Sequence, residues 1–115
     1  MSGAVRQGRE AELLLGAVPE GARVVLLDEG GKDFTSRELA GLVSSERGGG
    51  AGALAFLIGG ADGFADALRA DLAPRTAATL RFGRAVWPHR LARLMLAEQL
   101  YRAATILTGH PYHRD

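Results

Sequence analysis

The sequence predicts an α/β fold, a parallel sheet flanked by helices, and three observations carry the prediction. Short apolar runs without polar alternation, "ARVVLLDEGG" and "ALAFLIGGADG", each end in an acidic or glycine-rich turn, as strands covered on both faces do. Segments with helical start signals or periodicity lie between and after them. The alternation of the two patterns along the chain is that of strand-helix-strand units.

Residues 4–17, "AVRQGREAELLLGA", read as a short helix with its charges on one side, turning at "PEG". The run Val24–Leu27 is the first strand. A helix follows, because Thr35 with Glu38 forms a capping box and Phe34 can staple onto Leu39 across it; the glycines from Gly48 end it. "ALAFLIGGADG" is the second strand, leading into a helix over about residues 64–72 that Pro74 stops. "TAATLRFG" is a third, less regular strand. Pro88 precedes a long helix over about residues 89–107, whose Leu91, Met95, Leu96, Leu100, Ala103 and Leu107 form an apolar face.

One hundred and fifteen residues suit a single domain with its own core. The absence of cysteine excludes disulfides, a thiolate nucleophile and cysteine-based zinc sites, and the three histidines lack zinc-ligand spacing, so no metal is expected. No apolar run approaches the roughly 18 residues of a membrane helix, and the first residues lack a signal peptide's apolar core; a cytoplasmic protein is expected. Charge is uneven: residues 1–74 hold seven Lys/Arg against eleven Asp/Glu, residues 75–115 seven arginines against two acids. The basic end suits a polyanion, while a net charge of +1 argues against a general nucleic-acid coat.

Ligands of open parallel sheets bind beyond the carboxyl ends of the strands, which singles out "LDEGG", "IGGADG" and "RFGRAVWPHR". Gly59 and Gly60 admit a ligand against the backbone, or simply form a tight turn. Trp87 walls a pocket for a flat ligand, or packs in the core. His89 is a general base with an ordinary pKa near neutral, or a capping or packing residue. Arg90, Arg93 and Arg102 bind phosphate, pair, or are solvated, and Glu98 with Arg102 has the spacing of an ordinary helix ion pair. "GGGAGA" lacks the Lys-Ser/Thr ending of a nucleoside triphosphate loop and "IGGADG" the spacing of a dinucleotide fingerprint.

Three blocks in this order, "LLDEGGKDFTSRELA", "FLIGGADG" and "WPHRLARLMLAEQLYRAATILTGHPYHRD", closely resemble the ribosomal RNA large-subunit methyltransferase H family, over about residues 20–115. The last block is the most specific. The resemblance implies the SPOUT class: an α/β sheet with a deep C-terminal trefoil knot, working as a homodimer, in which the polar terminal segment "HPYHRD" is pinned beside a cofactor pocket. Knots are exceptions to the usual rules of chain topology, so this expectation comes from the resemblance alone. It also implies methyl transfer from S-adenosyl-L-methionine to N3 of a pseudouridine in a stem-loop of 23S ribosomal RNA, on the assembled ribosome. By position, the cofactor contacts are Leu27, Gly59 and Gly60, then Gly83, Arg84, Ala85, Val86, Trp87 and Pro88. The matching candidates for RNA contact and catalysis are His89, Arg102, Tyr112, His113 and Arg114.

One departure from the family pattern concerns the beginning of the chain. Family members carry a further strand, helix and strand, roughly 40 residues by comparison with an ordinary βαβ unit. Residues 1–115 are therefore expected to be one SPOUT domain lacking that segment. The alternative reading is a non-catalytic dimeric module that binds RNA or the ribosome.

Overall fold

The computed structural model describes residues 18–50, 52–59, 64, 66–85 and 87–109. Strand β1 (Arg23–Asp33) lies between β2 (Leu54–Ile58) and β3 (Thr76–Arg81), and both neighbours run parallel to it. Helix α1 (Ser36–Gly48) connects β1 to β2; helix α2 (Asp66–Leu72) and a 3-10 turn (Ala73–Arg75) connect β2 to β3; helix α3 (His89–Thr108) follows. The helix expected over residues 4–17 lies outside the described residues.

The unbroken apolar run of β1 is explained by what covers it. Val24 and Leu26 face one side, packed with Leu57, Phe64, Leu68 and Leu72, so α2 closes that face. Val25 and Leu27 face the other, packed with Leu39, Ala40, Leu80 and Ala103, so α1 and α3 close it. Both faces are dry, and Val24 and Val25 are fully buried. Burying such side chains stabilises the fold by about 1.5–3 kcal/mol each. Ion pairing at the opposite, amino-terminal end of β1 adds to this, with Arg23 Nε 3.1 Å from Glu46 Oε2 of α1.

Helix α1 begins as its sequence specifies. Thr35 accepts the Glu38 amide at 3.0 Å, and the Glu38 carboxylate accepts the Thr35 amide at 2.8 Å. Phe34 joins the cluster that holds Leu39 and stacks at a tilt on Phe82, ring centroids 5.5 Å apart. At the other end, Gly49 caps the helix.

Two expectations are corrected. The "LDEGG" turn does not end β1: the chain bulges outward over Asp28–Gly31 and rejoins β3, so that Leu27 and Lys32 both lie opposite Leu80. The reason is close approach at Gly31, where a Cβ would come within 2.5 Å of the Leu80 carbonyl carbon. On α3, Leu91 and Leu107 are exposed, while the buried line runs through Ala92, Leu96 and Ala103. Small alanines admit the helix closely to its neighbours, and the apolar side of α3 is wider than the surface that covers it.

Candidate functional site

A cleft of about 430 Å³ opens beyond the carboxyl ends of the three strands. Its lining comes in sequence from Leu27, Asp28 and Glu29 at the bulge of β1, Ile58 at the end of β2 with Gly59 after it, and Arg81 at the end of β3 with Phe82 and Gly83 after it. Ala85, Trp87, Pro88, His89 and Ala92 close the far wall. Here the connection leaving β1 passes through α1 over one face of the sheet and the connection leaving β2 passes through α2 over the other, and their parting creates the crevice.

The far wall is shaped by local rules. Gly83 turns the chain out of β3 with φ +77°, a left-handed conformation that a side chain disfavours. Trp87 then folds back so that its indole N–H donates to the Phe82 carbonyl oxygen at 2.7 Å, closing the loop over residues 82–87. The tryptophan is 41% exposed and lines the cleft, so it is a wall and not a core residue. Pro88 caps α3, and its carbonyl accepts the Ala92 amide at 2.9 Å. His89 is therefore the first helical residue instead of the cap, with its side chain exposed at the cleft.

Charges are arranged in two pairs. Asp28, whose side chain is only 7% exposed, accepts Arg69 Nη2 of α2 at 2.6 Å and the Gly30 amide at 3.1 Å. On the other side, Arg81 bridges Asp33 with contacts of 2.8 and 3.2 Å. The Arg81 hydrogen bond holds the Asp33 carboxyl below its ordinary value, helped by the Arg84 charge and the Gly83 amide, and Asp33 in turn raises Arg81.

Of the residues expected at a cofactor site, Leu27, Gly59, Gly83, Ala85, Trp87 and Pro88 meet in this one cleft, joined by His89. Arg84 is exposed and does not line it. Arg102 does not line it either; it grips Glu98 one turn away at 2.8 Å, as the ordinary helix pair expected from its spacing. Gly60, Val86, Tyr112, His113 and Arg114 lie outside the described residues. Asp28, Glu29, Ile58, Arg81 and Phe82 lie in the three segments that the sequence singled out, without having been named one by one; Ala92 lies outside them. Ile58 and Arg81 were within reach, as the last residues of their strands; nothing in the sequence marks Ala92.

The walls suit a flat, partly apolar ligand with a polar edge. The volume lies within the ordinary range for small-molecule sites, about 300–1,000 Å³. Leu27, Ile58, Phe82, Trp87 and Pro88 supply apolar surface, the strand-end backbone supplies hydrogen-bonding groups, and exposed Glu29 supplies negative charge for a cationic ligand, Asp28 being already paired with Arg69. S-adenosyl-L-methionine, with its adenine ring and positive sulfonium and ammonium groups, fits that description. Among the described residues no group of three or more His, Asp or Glu side chains is placed to hold a metal ion, and no helix is long and apolar enough to cross a membrane.

Comparison with known proteins identifies the family. A family model described as "Predicted SPOUT methyltransferase" matches residues 2–113. A protein of Paramagnetospirillum magneticum named ribosomal RNA large subunit methyltransferase H is 54% identical over 116 aligned positions, 99% of this chain and 72% of its own length. Proteins of the same name from Xanthobacter autotrophicus and Dinoroseobacter shibae are 50% and 57% identical, over 95% and 91% of this chain. The chain spans 66% and 65% of those two relatives' lengths. The match over nearly the whole chain, on an α/β scaffold of parallel strands and flanking helices, establishes the family: the chain belongs to the SPOUT methyltransferases, beside the relatives named ribosomal RNA large subunit methyltransferase H.

Proposed function

We propose that the chain is a ribosomal RNA methyltransferase that takes its methyl group from S-adenosyl-L-methionine. The target on this reading is N3 of a pseudouridine in a stem-loop of 23S ribosomal RNA within the assembled ribosome. The observation that carries it is the cleft, which gathers Leu27, Gly59, Gly83, Ala85, Trp87 and Pro88 from three separate strand ends. The relatives' name supports ribosomal RNA as the substrate class.

When bound, the sulfonium cofactor supplies an electrophilic methyl group on a good leaving group. The chain must then hold the cofactor, orient the base and accept the N3 proton. Leu27, Gly59, Gly60 and residues 83–88 hold the cofactor, with Trp87 fixed by its bond to Phe82. His89 at the cleft, together with Arg102, Tyr112, His113 and Arg114, provides the polar groups for RNA contact and catalysis, with the tail residues Tyr112, His113 and Arg114 foremost. Arg84, Arg90 and Arg93 are exposed around the start of α3 and suit contact with phosphates.

The same reading includes a deep trefoil knot at the C-terminal end, a homodimer and a cytoplasmic location. The dimer is supported by the outer side of α3. Leu91, Leu94 and Tyr101 are spaced to share that side, and they are 41%, 66% and 54% exposed.

The test is methyl transfer from labelled S-adenosylmethionine to ribosomes lacking the modification. Methylation at the pseudouridine, lost in a folded Tyr112→Phe/His113→Ala double variant, is the expected result. Ribosome binding without methyl transfer would instead identify a non-catalytic binding module. Full activity in the double variant would remove the tail from the mechanism.

A further inference from the structure

The bulge of β1 contributes Asp28 and Glu29 to the cleft, yet it lacks the restraint that shapes the rest of the strand. Its pairing with β3 breaks off at Leu27 and resumes at Lys32, with Gly31 already against the Leu80 backbone, so the ladder leaves residues 28–30 unpaired. What holds them is the Asp28 carboxylate, which accepts the Gly30 amide from within the bulge and Arg69 Nη2 from α2 on the same oxygen, Oδ2. That carboxylate is nearly buried, so losing a partner would leave it poorly compensated. Arg69 is itself steadied by Phe64, its guanidinium carbon 5.9 Å from the centre of a ring that is only 6% exposed.

Arg69 does not line the cleft. It reaches Asp28 from the helix that follows β2, and so one guanidinium ties the β1 bulge to that helix. We infer that Arg69 is a positioning residue of the cleft, which sets the shape of the β1 bulge through Asp28 and so tunes affinity for the methyl donor. This rests on the reading that the cleft takes S-adenosylmethionine. Because Arg69 acts on the cleft through Asp28 and does not line it, its loss changes how well the donor is held and not the rate once the donor is in place. Lysine keeps the charge but presents a point donor in place of the planar fork, and restores the function in part.

The experiment compares Arg69→Met, Arg69→Lys, Asp28→Asn and the Asp28→Asn/Arg69→Met double variant in the full chain. Two readouts are used. The first is hydrogen exchange of the Gly30 amide in the free protein. The second is the donor's dissociation constant and KM against kcat. Arg69→Met is expected to speed Gly30 exchange, raise KM and the dissociation constant about tenfold, and leave kcat within about twofold, with Arg69→Lys between it and the wild type. The double variant is expected to be no worse than the more damaged single variant, because both substitutions break one link. Unchanged Gly30 exchange, losses that add in the double variant, or an equal fall in kcat and kcat/KM would each overturn the inference. Should Arg69→Met fail to fold, Arg69→Lys carries the same comparison. A wild-type protein that does not bind S-adenosylmethionine would defeat the proposed function. Gly30 exchange would still decide whether Arg69 holds the bulge.

Discussion

The indole N–H of Trp87 donates to the backbone carbonyl of Phe82 at 2.7 Å, so the loop that forms the far wall of the cleft is closed by one side chain. The ring that lines the cleft is thereby the same ring that holds the loop in shape. Trp87→Phe keeps an aromatic surface and deletes the bond. It is expected to cost about 1 kcal/mol of stability in denaturant unfolding and to weaken S-adenosylmethionine binding severalfold by calorimetry. Unchanged affinity would show that the wall is held by other means.

Asp33 and Arg81 give a pH signature of definite sign. The hydrogen bond from Arg81 lowers the carboxyl's folded-state value below its ordinary 3.8, which the unfolded chain retains. The pair's contribution is therefore fully present above the unfolded value and is lost as pH falls through the lowered folded one. The stability difference between wild type and Asp33→Asn is expected to be constant at neutral pH and to close in strong acid. Because both groups reach solvent, it also shrinks in high salt. A difference that widened on acidification would contradict this assignment.

Two glycines are expected to respond with opposite signs. Gly31→Ala places a Cβ against Leu80 backbone that cannot move aside, and is expected to cost about 2–4 kcal/mol or to release the bulge from β3. Gly41→Ala sits in the exposed middle of α1 with open space around it, and is expected to gain about 0.5–1 kcal/mol. Thermal unfolding of the two variants checks both.

The proposed dimer, with the outer side of α3 as its interface, can be tested apart from folding. Leu94→Asp is expected to change stability by no more than about 0.5 kcal/mol per subunit while abolishing the dimer in sedimentation velocity. Leu96→Ala, at a residue 7% exposed on the covered side, is expected to cost about 2–4 kcal/mol. A Leu94→Asp protein that remains dimeric would place the interface elsewhere.

These relationships also show what was readable from the chain. Val24 to Leu27 announced a strand covered on both faces because both sets of side chains are apolar, and Thr35 with Glu38 announced a helix start because a capping box is local. The strand-end loops marked most of the cleft for the same reason: glycines, Trp87 and Pro88 shape their own surroundings. The β1 bulge was hidden, since it arises from the approach of Gly31 to Leu80 far along the chain. The rotation of α3 was hidden too: Leu91 and Ala92 are both apolar, and only packing decides which one is covered. The Asp28–Arg69 pair spans 41 residues, and no local pattern joins them.

The central claim, that the cleft is the methyl-donor site, is tested most directly through Trp87, the chain's single tryptophan. Its fluorescence would be followed during titration of the 115-residue protein with S-adenosylmethionine, with calorimetry in parallel. The account predicts a saturable change in emission and a calorimetric isotherm that share one micromolar dissociation constant, a binding free energy of about −8 kcal/mol. No binding by the folded protein, or heat that saturates while Trp87 stays silent, would contradict it.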